Sequence, residues 1–106
     1  MNEALPISID QSALKDFCQR WKITELALFG SILRDDFGPD SDVDVLVTFD
    51  PDATPSMFEF LDAKRELATL FGRDVDLIER PSLEKHHNPW LRYEILSEAK
   101  TVYQAA

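Results

Sequence analysis

The stretch LFGSILRDDFGPDSDVDVLV, from Leu28 to Val47, decides the fold of this chain. It predicts the end of one strand, a Gly-Ser turn, a short helix or loop, and a second strand that starts at Asp42. Because the side chains of a strand alternate between its two faces, Asp42 and Asp44 share one face. The valines that alternate with these acids are predicted to face the core: Val43, Val45 and Val47.

The paired carboxylates predict a divalent cation. Asp42 and Asp44 would lie roughly 6–7 Å apart along the strand. Their repulsion would be on the order of 2–3 kcal/mol at an effective dielectric constant near 20. Aspartate is also a poor strand former, so the pair does not stabilise a folded domain. A bound cation reverses the sign of the interaction, and Mg²⁺ binds through one or two carboxylates together with substrate phosphates.

Gly30 and Ser31 predict a phosphate-binding turn before the acidic pair. Glycine permits a sharp turn and the close approach of a ligand to the backbone. Ser31 offers a hydroxyl where a helix is predicted to begin, and the backbone N–H groups at such an end bind anions. One loop can therefore hold phosphates while the next strand holds the metal that bridges them.

Gly-Ser, ten residues and Asp-x-Asp together resemble the signature of the DNA polymerase β-like nucleotidyltransferase superfamily. Ser41, directly before Asp42, also fits the Ser-Asp-x-Asp form of that signature. The short length narrows the resemblance to the minimal nucleotidyltransferase (MNT) proteins, which are typically antitoxins paired with HEPN toxins. Arg34 matches the family pattern, whereas Ile32 stands where the family commonly has Arg and Asp35 stands where it has Gly.

The resemblance implies a third carboxylate at Asp76. Asp74 and Asp76 repeat the i, i+2 spacing, and the family places its third acid before two aliphatic residues, as Asp76 stands here. If this strand lies beside the second one, Asp76 faces Asp42 and Asp44 across the sheet. The alternative is a solvated strand start with two exposed acids.

Composition favours one globular domain over residues 1–106, with 44% hydrophobic residues and a net charge of −9. Phosphate contacts need a basic patch, so the charge argues against direct nucleic-acid binding. It favours a basic protein partner or metal-bound carboxylates, although simple solubility would also explain it. We expect no second substrate domain, so the acceptor must come to this protein.

A single cysteine, Cys18, excludes an intramolecular disulfide and fits a cytoplasmic protein. It falls on an apolar helix face and is predicted to be a core residue. The first residues, MNEALPISID, have neither the positive start nor the apolar run of a signal peptide. No stretch approaches the roughly 18 apolar residues of a membrane span, and no membrane association is expected.

Periodicity and turn signals predict an α/β fold with a small mixed β-sheet and packed helices, which is the polymerase β-like nucleotidyltransferase fold that the resemblance implies. The predicted elements are a helix at Asp10–Trp21, a strand at Thr24–Phe29, a short helix at Ser31–Phe37, a strand at Asp42–Phe49, a helix at Met57–Phe71, a strand at Asp74–Glu79, a helix from Pro89 to about Ala99 and a strand at Val102-Tyr103. Residues 1–9 are predicted to be a loose arm, and residues 81–87 a polar connection with His86 and His87 at the surface.

Apolar stripes predict which helical residues face the core. In the long helix these are Met57, Phe60, Leu61, Leu67, Ala68 and Phe71, and in the last helix Leu91, Ile95, Leu96 and Ala99. Trp90 and Tyr93 fit either the core or a partner surface.

The resemblance implies an Mg²⁺-dependent antitoxin that transfers AMP from ATP to a tyrosine of a HEPN ribonuclease toxin, releasing pyrophosphate within a hetero-oligomer. The site residues that it implies are Asp42, Asp44 and Asp76 for catalysis and metal binding, and Gly30, Ser31 and Arg34 for ATP. Two other hypotheses stay open. The chain could neutralise a toxin by occlusion without chemistry, which the altered Ile32 and Asp35 would favour. It could also be one subunit of a split enzyme that modifies a small molecule or an RNA end.

Overall fold

The structure is a computed structural model that describes residues 7–34, 37–38 and 40–105. The chain folds in the order α1 (Gln11–Arg20), β1 (Ile23–Phe29), a 3₁₀ helix (Gly30–Leu33), β2 (Val43–Phe49), α2 (Met57–Phe71), β3 (Val75–Glu79), α3 (Arg80–Glu84), α4 (Pro89–Glu98) and β4 (Lys100–Gln104). Most of the predicted N-terminal arm lies outside the described residues, as do Asp35 and Pro39.

The four strands form one mixed sheet in the order β3-β2-β1-β4. β1 pairs antiparallel with β2 and with β4, whereas β2 and β3 run parallel. Parallel neighbours need a crossover connection, and α2 supplies it. The prediction of an α/β fold with a small mixed sheet is confirmed, and so is the short last strand.

Helices cover both faces of the sheet, so β1, β2 and β3 each contribute residues to two cores. The larger core lies against α1 and α2 and contains, among others, Leu14, Phe17, Cys18, Leu26, Leu28, Val43, Val45, Val47, Ala63, Leu67 and Phe71. The smaller one contains Ala27, Phe29, Leu46 and Leu83, with residues of α4 packed against it. Strand alternation therefore places Asp44, which is two residues from Leu46, on the face of the smaller core.

The helix boundaries follow from their caps. The Asp10 carboxylate accepts a hydrogen bond from the N–H of Ala13, and Ser56 and Glu59 form the predicted capping box of α2. α2 ends at Gly72, whose φ of +70° is the left-handed conformation that glycine adopts readily. Asn88 caps α4 in front of Pro89, as predicted.

Several predictions about elements were wrong. Residues 80–84 form a short helix rather than a polar connection, with Leu83 anchoring it in the smaller core. The helix predicted at Ser31–Phe37 is a single 3₁₀ turn that ends at Leu33. Met57 and Leu61 are exposed in α2, where Ala63 occupies the core instead, and Leu91 is exposed in α4. Periodicity located the helices but overestimated the width of their buried faces, because each packs on a narrow four-stranded sheet.

Across the described ranges, no helix has both the length and the apolar character that crossing a membrane requires.

Candidate active site

The parallel pairing of β2 and β3 brings two of the predicted acids side by side. Asp44 and Asp76 are partners in the register of these strands. Asp42 directly precedes β2 and is exposed, whereas Asp44 is half-buried. The face that carries Asp44 and Asp76 is therefore acidic near the start of both strands.

The electrostatics of Asp44 reflect this crowding. Burial raises the pKa of Asp44 above its ordinary value, and the nearby carboxylates of Asp76 and Asp42 raise it further. Arg34 acts in the opposite direction and lowers the pKa of Asp44. The three acids and Arg34 thus share one electrostatic environment. Asp76, and not Asp74, is the register partner of Asp44.

Gly30 lies directly against Asp44. It has a φ of +78°, and a Cβ atom built on it would stand 2.2 Å from Oδ2 and 3.2 Å from Cγ of Asp44. Any side chain at position 30 would therefore displace the carboxylate. The sequence predicted a glycine for a turn and a phosphate, but it gave no signal for this contact, which depends on β1 pairing with β2.

Ser31 and Arg34 occupy the 3₁₀ turn beside this contact. The N–H of Arg34 donates to the carbonyl oxygen of Ser31 at 2.9 Å, which closes the turn. The Arg34 guanidinium lies 3.9 Å from a carboxylate oxygen of Glu98 at the end of α4. Ile32 points the other way and is 3% exposed in the larger core. Ile32 itself therefore contributes to the core and not to the acidic face.

Open clefts flank Asp42. One, of about 370 Å³, is lined by Asp42, Asp74 and residues of α2 that include Lys64 and Arg65. The other, of about 360 Å³, is lined by Ser41, Asp42, Gly72, Arg73 and their neighbours. Sequence reasoning did not single out Lys64, Arg65 or Arg73, since no local pattern distinguishes them from solvated surface cations.

Other polar groups stand apart from the acidic face. His86 and His87 stack on each other with ring centres 4.6 Å apart in the segment between α3 and α4, and His87 is exposed as predicted. Burial raises the pKa of the Cys18 thiol to about 12, consistent with a core residue.

Within residues 7–34, 37–38 and 40–105, no three or more Asp, Glu, His or Cys side chains are gathered closely enough to hold a metal ion. Trp90 and Tyr93 are exposed, which excludes the core alternative for both.

Comparison with known proteins assigns the chain to a family. The family model of the nucleotidyltransferase domain matches residues 11–103, from the start of α1 to all but the last residue of β4. The chain belongs to the nucleotidyltransferase domain family. The resemblance that the Gly-Ser and Asp-x-Asp motifs carried is thereby confirmed, and so is the prediction of an enzyme fold of this family.

Curated relatives of this nucleotidyltransferase domain are named for protein adenylyl transfer. This chain is 37% identical over 70 residues to the protein adenylyltransferase MntA of Thermococcus cleftensis, and the match covers 66% of this chain and 69% of the relative. It is 38% identical over 82 residues to a provisionally named protein adenylyltransferase of Methanocaldococcus jannaschii, covering 77% of this chain and 76% of the relative.

Solved structures share the fold of this nucleotidyltransferase domain. A structure provisionally described as a minimal nucleotidyltransferase is 30% identical, with a TM-score of 0.64 over 84% of this chain and 85% of that one. A complex described as a tri-AMPylated Shewanella oneidensis HEPN toxin with its MNT antitoxin matches with a TM-score of 0.59 at 18% identity, covering 90% of this chain and 70% of that one. The second likeness concerns the fold alone.

Proposed function

We propose that this chain is an Mg²⁺-dependent antitoxin that transfers AMP from ATP to a tyrosine hydroxyl of a cognate HEPN ribonuclease toxin and so neutralises it. The observation that carries the proposal is the register of Asp44 opposite Asp76, with Asp42 close enough to raise the pKa of Asp44. The names of the relatives and of the solved complex support the acceptor and the partner. A cytoplasmic location is part of the same proposal.

The donor chemistry of the residues fits a divalent cation of the magnesium type, although in the described part of the chain the three carboxylates are not gathered into a ligand cluster, so binding would have to draw them together. Asp42, Asp44 and Asp76 supply only oxygen donors, which Mg²⁺ prefers. The crowding that raises the pKa of Asp44 is the unfavourable interaction that a cation relieves. When bound, the metal would supply positive charge for the triphosphate and lower the pKa of the attacking hydroxyl.

Each site residue would have its own role in the reaction. The tyrosine oxygen attacks the α-phosphorus of ATP, the bond from that phosphorus to the bridging oxygen breaks, and pyrophosphate leaves. Asp76 accepts the proton of the hydroxyl. The backbone of Gly30 and the hydroxyl of Ser31 bind the β- and γ-phosphates, and Arg34 adds positive charge beside them. An AMP group on the toxin then adds charge and bulk where RNA would bind.

Thermal unfolding with ATP and Mg²⁺ tests the site. A ligand at about 100 times its Kd adds about 2.7 kcal/mol to the stability of the folded state, which raises the Tm by on the order of 10 °C in a domain of this size. We expect the wild-type protein to show this shift, and the variant with Asp42→Asn and Asp44→Asn to lose it.

A matched control exists in the loop before α2. Asp50 and Asp52 have the same spacing, and the N–H of Asp52 donates to the Asp50 carboxylate at 2.9 Å, a bond that asparagine can also accept. The variant with Asp50→Asn and Asp52→Asn should keep the full shift. A wild-type protein that ATP and Mg²⁺ leave unchanged would contradict nucleotide binding, and a full shift in the Asp42→Asn, Asp44→Asn variant would remove these acids from the site.

A further inference from the structure

Arg73 makes three contacts with the segment that leads into Asp42. It follows Gly72 in the short connection between α2 and β3. Its Nη1 donates to the carbonyl oxygens of Gly38 at 2.6 Å and Ser41 at 3.1 Å. Its guanidinium carbon lies 4.4 Å from the centre of the Phe37 ring, within the range of a cation–π contact. Arg73 is half-buried and is engaged with the backbone on one edge and with an aromatic face.

Two further hydrogen bonds join Gly38 and Ser41 to each other in the turn that leads into Asp42. The N–H of Ser41 donates to the carbonyl oxygen of Gly38 at 3.1 Å, and the Ser41 hydroxyl accepts from the N–H of Gly38 at 2.9 Å. These bonds fix the shape of the turn but not its position relative to the sheet. The N–H of Val43 then donates to the carbonyl oxygen of Asp74 at 2.9 Å, where β2 meets the segment that follows Arg73. Asp42 stands between the turn and this bond.

An arginine suits this position better than a lysine. Its planar guanidinium presents several N–H donors in a fixed geometry and stacks on an aromatic face, whereas an ammonium group is a compact and strongly hydrated point charge. The contacts of Arg73 join the chain on one side of Asp42 to the chain that delivers Asp76. They therefore couple the positions of the two acid-bearing segments.

We propose that Arg73 is a positioning residue that holds Phe37, Gly38 and Ser41 against the α2–β3 connection and so fixes the carboxylate of Asp42 relative to Asp76. The proposal rests on the proposed function, since it is that site which the clamp would serve. Removing the clamp should loosen Asp42 and weaken cation binding without unfolding the domain. Groups that orient metal ligands typically contribute about 10–100-fold to affinity or activity.

The first test uses the ligand-free protein. Hydrogen exchange of the Ser41 and Val43 amides should become several-fold faster in Arg73→Met, because the clamp no longer opposes local opening. Arg92→Met is the matched control, since the Arg92 Nη1 also donates to a backbone carbonyl, that of Glu84 at 3.1 Å, in another part of the fold. It should leave these amides unchanged. If Arg73→Met does not fold, Arg73→Lys is measured in its place and should also exchange faster.

The second test uses Mn²⁺ as a stand-in for Mg²⁺ and measures the Mn²⁺ concentration at which ATP stabilises each variant. At similar Tm without ligand, we expect the midpoint to rise about tenfold or more in Arg73→Met and to stay unchanged in Arg92→Met. Wild-type exchange rates at Ser41 and Val43 in the Arg73 variant would overturn the clamp, and so would an unchanged midpoint. A wild-type protein with no Mn²⁺-dependent response to ATP would instead contradict the proposed function, and the exchange rates would still decide whether the clamp exists.

Discussion

Asp44 destabilises the ligand-free fold near neutral pH. Its carboxylate is half-buried and faces Asp76 and Asp42, and burial and these charges raise its pKa. The folded protein therefore binds this proton more readily than the unfolded chain does. The stabilising effect of protonation is fully present below the ordinary aspartate pKa and is lost as the pH rises through the raised pKa.

The first prediction follows from the direction of the shift in the pKa of Asp44. In the ligand-free protein, Asp44→Asn should raise the Tm by a few degrees at pH 7, because the charge that burial and its neighbours penalise is removed. The advantage over wild type should shrink as the pH falls through the raised pKa of Asp44 and disappear below the ordinary aspartate value. Scanning calorimetry across this pH range measures it.

Asp52→Asn is the control for the removal of one negative charge, since Asp52 is exposed in the loop before α2. It should not reproduce the pH-dependent gain. A lower Tm for Asp44→Asn at pH 7 would mean that Asp44 is a structural residue, and it would contradict the account of an acid held for ligand binding.

The end of β1 and the start of β2 form a contact between elements that only glycine permits. Gly30, at the end of β1, leaves room for the Asp44 carboxylate of β2 and has a positive φ. Gly72, at the end of α2, also has a positive φ, but nothing lies within 4 Å of a Cβ placed there. A comparison of alanine variants at the two positions therefore separates the effect of backbone strain from the effect of displacing the Asp44 carboxylate.

The second prediction uses this pair. Gly30→Ala and Gly72→Ala should each lower stability by about 1 kcal/mol, since both force alanine into the left-handed region. Only Gly30→Ala should also abolish most of the stabilisation by ATP and Mg²⁺, because its methyl group displaces the Asp44 carboxylate. Equal ligand responses in the two variants would show that the contact with Asp44 does not matter for binding.

Local sequence signals predicted the elements well where caps and alternation were strong. The bounds of α2 follow from Ser56 and Gly72, and the inward face of β2 follows from its alternating valines. α3 escaped prediction because five residues with one buried leucine carry no periodicity. Exposed Met57 and Leu61 were placed in the core because a stripe does not reveal how wide a partner surface is.

The candidate site was predictable only in part. The motif predicted Gly30, Ser31, Asp42 and Asp44, the resemblance added Arg34 and Asp76, and the roles of all six stay predictions. The clamp from Arg73 and the steric need for Gly30 arise from contacts between segments distant in sequence. Local patterns carry no information about such contacts.

At the scale of the whole molecule, the chain carries a net charge of −9, and its acidic site lies near the N-terminal ends of two parallel strands. The enzymatic hypothesis and the occlusion hypothesis both require that a protein partner binds this chain. Ile32, one of the two departures that favour occlusion, is buried in the larger core. The two hypotheses differ in stoichiometry and in the covalent state of the partner.

The measurement that separates the two hypotheses is the intact mass of the cognate HEPN toxin, purified without this protein. The mass is measured after incubation with ATP, Mg²⁺ and a substoichiometric amount of this protein. If the protein acts by chemistry, the mass of the toxin rises by whole AMP units, and the toxin stays inactive after this chain is removed. Asp76→Asn should stop the mass change while association with the toxin persists, because Asp76 accepts the proton of the attacking hydroxyl. An unmodified toxin that the Asp42→Asn protein neutralises fully at equal stoichiometry, whether or not ATP is present, would contradict the account.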